Sequence, residues 1–134
     1  MKKIILVVVV LCTSLLSKTQ DLKIYRPIDV TVKATYKTGT GDLMTYVSSN
    51  FKQPIMCVLD KVKTTLRMRF VINEDGSISN ITVSGCESEG ICCEDLSTAC
   101  EDMLKQMKDW TPAEINGVKV KQWGEIPLNI NNAG

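Results

Sequence analysis

The sequence predicts an α+β fold, a small three-stranded antiparallel sheet with helices packed on one face, and three observations carry that expectation. From Thr65 to Asn73 apolar and polar residues alternate almost strictly, the period of a half-buried strand. Asn73-Glu74-Asp75-Gly76 then supplies turn residues ahead of a second strand-like run, which makes a hairpin. Farther on, Leu96, Ala99, Cys100, Met103, Leu104 and Met107 recur at i, i+3, i+4 and i+7, the stripe of a helix that covers one sheet face.

The elements follow in chain order. Lys2 and Lys3 precede a mostly apolar stretch, Ile4 to Leu16, and a polar Ser17-Lys18-Thr19-Gln20, so residues 1–20 read as a signal peptide or a short membrane anchor. As a helix that stretch reaches only about 20 Å against a hydrocarbon core of about 30 Å. Residues 21–40 form an extended arm in which Ile28, Val30 and Val32 alternate with Asp29, Thr31 and Lys33, the pattern of a brief strand. Asp42 is placed to cap a helix carrying Leu43, Tyr46, Val47 and Asn50. A second short helix opens on Pro54 and runs to about Lys61, with Ile55, Val58 and Leu59 packing inward.

In the first main strand, Leu66, Met68, Phe70 and Ile72 share the core face. The return strand places Ile81 and Val83 on that face, and Ile78 falls out of phase beside the turn, which marks a bulge. The long helix runs from Glu94 to Trp110, with Glu94 and Asp95 at its start and Lys105 and Lys108 near its end, as the helix dipole favours. A third strand runs from about Val118 to Ile130. Its Pro127 cannot donate to a ladder, so the strand lies at a sheet edge or carries a bulge. An all-antiparallel sheet then needs the order second, first, third, and leaves the third strand one free side. The compact unit spans residues 41–130, and 131–134 form a tail.

Composition removes several function classes. Sixteen basic and fifteen acidic residues give a net charge of +1, no field for a polyanion, so nucleic acid is not an expected partner. Histidine is absent, which removes the commonest general base and metal ligand. No base accompanies any cysteine in the pattern, so neither an enzyme nor a cofactor is expected.

Several spaced motifs occur in order: Tyr46, Asn50-Phe51 and Pro54; Phe70-Val71-Ile72-Asn73-Glu74-Asp75-Gly76-Ser77-Ile78; Met107-Lys108-Asp109-Trp110-Thr111-Pro112-Ala113; Asn116-Gly117-Val118; and Glu125-Ile126-Pro127-Leu128-Asn129-Ile130. Together they resemble the TonB C-terminal domain family, over roughly residues 30 to 130. The resemblance implies a periplasmic module that binds a short segment of an outer-membrane transporter by strand addition, within a system that draws energy from an inner-membrane motor. The chain departs from that family's energy transducers in having a short leader, no histidine and only four prolines, none clustered. Fully extended, residues 21–40 reach at most about 70 Å, a poor bridge between two membranes. The expectation is therefore a stand-alone binding module, exported to the periplasm or facing it from the membrane, with an anchored energy transducer as the alternative. Membrane contact is expected only through the N-terminal segment, and a second copy of the chain is a further candidate partner.

On the third strand, Lys119, Lys121, Trp123 and Glu125 share a parity opposite to Val118, Val120, Ile126 and Leu128, and are the candidate readers of an added strand. The bland alternative is that the three charges merely protect an edge. The five cysteines after the leader, Cys57, Cys86, Cys92, Cys93 and Cys100, are disulfide candidates in an exported protein. Cys86 with Cys92 or Cys93 closes a short loop, and Cys57 with Cys100 ties the early helix to the long one. A thiol-based metal or redox role is the rival reading, weakened by the lack of a Cys-x-x-Cys pair and by the adjacent Cys92-Cys93.

Overall fold

The computed structural model describes residues 23–86 and 91–132. The leader, 1–20, lies outside the described residues, as do the last two positions of the tail. The chain forms β1 (Ile24–Tyr25), a 3-10 turn (Pro27–Asp29), β2 (Thr35–Tyr36), α1 (Thr40–Asn50) and α2 (Ile55–Leu59). It continues through β3 (Lys63–Ile72), β4 (Ile78–Ser84), α3 (Ile91–Lys105), β5 (Trp110–Thr111), β6 (Ala113–Ile115) and β7 (Val118–Asn131).

The fold is α+β, and its central strands take the expected antiparallel order β4-β3-β7. Leu66, Met68, Phe70 and Ile72 are 1% exposed or less, so the alternation of β3 does what its period dictates. The sheet is nevertheless mixed and five-stranded rather than three-stranded and antiparallel. Two short elements make the difference. Asn116 and Gly117 both take positive φ, the requirement of a tight two-residue hairpin, and they fold β6 onto the start of β7. β1 pairs in parallel with β7, Ile24 against Lys121 and Tyr25 against Gln122. A separate two-stranded pair joins β2 to β5.

The bulge falls within β4 at Asn80–Ile81, where the register slips opposite Phe70 and Asn80 takes φ 50°. That extra residue returns Ile78 to the core face opposite Ile72. The arm makes no strand at Ile28–Lys33. Ile28 is 80% exposed and Val32 forms a single bridge with Glu114.

α3 starts earlier and ends earlier than the stripe suggests, because Asp109 turns through φ 72° and Trp110 joins a strand. Its stripe holds: Leu96, Cys100, Met103 and Leu104 are buried against the sheet. Trp110 packs 5.6 Å from Phe70 and 5.4 Å from Tyr36, centroid to centroid, and closes the core beneath the β3–β4 turn. Gly76 is required there, since any Cβ would collide with the Trp110 carbonyl. Asp42 lies inside the first turn of α1 rather than at its cap, and its carboxylate accepts the Thr38 N–H at 2.9 Å. The Thr38 hydroxyl, which also donates to it, and then that backbone bond hold the Asp42 carboxyl below the usual range.

α2 contradicts the expected inward packing. Ile55, Val58 and Leu59 are 67%, 44% and 65% exposed, and only Cys57 is buried. Cys57 enters the interior and bonds to Cys92, at the start of α3, and not to Cys100. Cys100 lies eight residues farther along α3, about 12 Å on, on the stripe that faces the sheet. Cys86 bonds to Cys93, one of the two expected pairings for that loop. Cys100 remains a buried thiol, pushed up to about 11 by burial and then by Glu101. Among the described residues no helix is long and apolar enough to cross a membrane.

Candidate functional site: the outer edge of β7

The phase of β7 follows from one hydrogen bond. The Asn132 N–H donates to the Val62 carbonyl at 3.1 Å, and the register of β3 with β7 continues unbroken from Lys63–Asn131 to Ile72–Gln122. In an antiparallel ladder bonded pairs alternate with non-bonded pairs. Ile130, Leu128, Ile126 and Gly124 therefore exchange bonds with β3, and Glu125, Pro127 and Asn129 turn their backbone groups outward. Pro127, opposite Arg67, falls where no ladder donor is needed. Its proline signal at the sequence level was an edge, and the outward side of β7 beyond Gln122 is paired by no strand among the described residues.

The expected free side is thus shorter than the whole strand. β1 occupies it at Lys121–Gln122, and the open lane begins at Trp123. The chain leaves the lane because Pro27 follows within two residues and starts a 3-10 turn. Arg26 and Asp29 close that turn with a 2.7 Å ion pair.

The four sequence-predicted readers all lie on the face of β7 away from the helices. Trp123 sits opposite the buried Val71, and the Arg69 guanidinium stacks 4.2 Å from its ring centre. Glu125 sits opposite Arg69. These three form one cluster beside the lane. Lys121 points instead to the β3–β4 turn, lining a depression of about 410 Å³ with Asn73, Glu74, Asp75 and Ser77. The Ser77 hydroxyl and N–H donate to Asp75 and hold its carboxyl below the usual range, with Lys121 adding a smaller pull. Lys119 is exposed on the β6–β7 hairpin, across from Glu114 and before the lane begins.

A second wall of the lane was not legible in the sequence. α1 runs beside β7 on the helix side of the sheet, and two depressions of about 450 Å³ border β7 there, one against α1 and one against the arm of residues 27–36 and the start of α1. One is bounded by Leu43, Tyr36, Gly124 and Glu125. The other is mainly apolar, lined by Met44, Val47 and Phe51 of α1 with Pro127 and Leu128 of β7. Gly124 lets the strand lie close to its neighbour: a Cβ there would come within 2.7 Å of the Phe70 ring. The Gln122 side chain, buried on the same face, accepts the Ala34 N–H at 2.9 Å and fixes the arm over the sheet.

No group of cysteine and carboxylate side chains among the described residues is arranged to hold a metal. The two disulfides consume four thiols, so Cys100 is the thiol left among them.

The chain is similar to the solution structure of a Helicobacter pylori TonB C-terminal domain, residues 179–285. The TM-score is 0.49 and the identity 21%, over 66% of this chain and 76% of that one. No family model and no curated protein matches the chain.

Proposed function

We propose that this protein is a non-enzymatic envelope module that binds an extended peptide segment of an outer-membrane transporter by strand addition to the outer edge of β7. The observation that carries the reading is the open lane from Trp123 onward, with Glu125 and Asn129 turning their backbone groups away from β3. An unpaired row of donors and acceptors accepts a strand, with affinity from the main chain and selectivity from alternate side chains. The resemblance of the spaced motifs to the TonB C-terminal domain family supplies the class of partner and the periplasmic side of the envelope. Trp123, stacked under Arg69, and Glu125 border the lane and contact the partner's near side chains. Lys121 and Lys119 stand at the end already held by β1 and contribute charge there.

The test is site-specific photo-crosslinking in the native host. A photoreactive residue at Glu125 or Asn129 is expected to trap an outer-membrane transporter, and the same residue at Thr98, on the outer side of α3, is expected to trap none. Adducts that form equally at both places, or that contain no outer-membrane protein, refute the reading.

A further inference from the structure

The lane is a strand edge on one side and a helix on the other, and that pairing says more about the partner than the edge alone. Successive side chains of an added strand point to opposite faces of the sheet. Residues of the partner that pair with Ile126, Leu128 and Ile130 share their face, which is the α1 side. The partner residue opposite Leu128 therefore points into the depression formed by Met44, Val47, Phe51, Pro127 and Leu128. Met44 is 43% exposed and no charged side chain lines that space. Its neighbours on the partner, one position either way, fall on the opposite face beside Pro127 and Asn129.

We infer that the groove between α1 and β7 is a side-chain socket, and that the partner is an extended peptide carrying one large apolar residue placed to enter it opposite Leu128. The inference rests on the strand-addition reading and adds the identity of the anchoring side chain. β1 shows that this edge takes an added strand, since Ile24 and Tyr25 already lie along it in parallel. The socket lies just beyond the point where β1 turns away, in the same lane. An occupant limited to backbone pairing would leave the exposed Met44 and half-buried Phe51 and Leu128 uncovered, whereas an apolar side chain removes their surface from water.

The probe is a displayed library of random twelve-residue peptides selected on the full chain, followed by amide hydrogen exchange of the complex and by affinities of selected peptides. The expected result is protection of the Glu125 and Asn129 amides, and a shared Leu, Ile, Phe or Met at one position. Replacing that residue by Ala weakens binding about ten-fold, the scale of one buried apolar side chain. Two protein variants give the same answer from the other side. Met44→Glu charges the socket and Ser48→Trp fills it. Both residues are exposed enough to leave the core intact, which an unchanged melting temperature verifies. In each variant the advantage of the apolar residue over Ala disappears, while the Ala peptide binds as it does to the unaltered chain. Peptides that protect Glu125 and Asn129 yet show no apolar preference overturn the socket and leave strand addition standing. Peptides that bind elsewhere, or no selected peptide, overturn both.

Discussion

Glu125→Pro and Leu128→Pro form a contrast that tests the phase of β7 directly, without any ligand. Leu128 pairs with Leu66, which is fully buried, and by the alternation set at Val62–Asn132 the two exchange ladder bonds. A proline at 128 removes one donor and strands the Leu66 carbonyl inside. The lost bond costs about 1 kcal/mol and the unpaired buried acceptor about 1–3 more, so the total is about 2–4 kcal/mol beyond the loss of the leucine side chain. Leu128→Ala supplies the side-chain contribution for subtraction. Glu125 turns its N–H outward, its neighbour Gly124 is already in extended strand, and Pro127, two residues farther on, is a tolerated case on the same parity. Glu125→Pro is expected to cost less than about 1 kcal/mol. Urea unfolding followed by circular dichroism reads the difference: with a slope of about 1.5 kcal/mol/M, the midpoint of Leu128→Pro falls about 1–3 M relative to Leu128→Ala. Equal destabilisation by the two prolines would falsify the assignment of the open lane.

Three further outcomes are expected. A non-reduced digest read by mass spectrometry yields the Cys57–Cys92 and Cys86–Cys93 linked peptides, with Cys100 alkylated only after unfolding; a Cys57–Cys100 peptide would contradict the packing of α2. Leu104→Ala empties a fully buried site on α3 and costs about 2–5 kcal/mol in the same urea assay, and a loss under 1 kcal/mol would mean α3 is not seated on the sheet. Stability varies with pH at both ends. Asp29, Asp42 and Asp75 have lowered folded values, so their contribution is present above the ordinary value of 3.8 and disappears as pH falls through the depressed values. Cys100 is raised from 9.0 to about 11, so its contribution is complete below 9 and drains as pH rises from 9 through 11, with buried Tyr36 and half-buried Tyr46 adding to the alkaline loss. Cys100→Ala is expected to move the alkaline onset upward; an unmoved onset places the thiol in water.

The parts legible in the sequence were those with a long period. β3, β4, β7 and the stripe of α3 each carry enough alternation or helical spacing to declare a buried face, and Pro127 announced an edge. The two-residue and three-residue strands did not. Ile24–Tyr25 has too few residues for a period, and its partner is more than ninety positions away. Alternation misled at Ile28, Val30 and Val32, where Pro27 imposes a 3-10 turn and leaves Ile28 in water. The apolar run of α2 misled for a different reason, since a five-residue helix held through one covalent bond has no face large enough to bury. Trp123 and Glu125 were legible as outward residues by parity, whereas Met44 and Phe51 gave no sign of bordering the same lane, because nothing local ties α1 to β7.

The tether through Cys57 also makes the placement of α2 depend on oxidation. Where thiols stay reduced, the segment from Ile55 to Leu59 has no buried side chain except a small sulfhydryl, and nothing covalent keeps four greasy residues at a fixed height above the surface. A chain made in a reducing cytosol is thus expected to show faster amide exchange over residues 55–59 than the same chain matured in an oxidising space. Oxidation, for this molecule, is part of how the last piece of its surface is held in place.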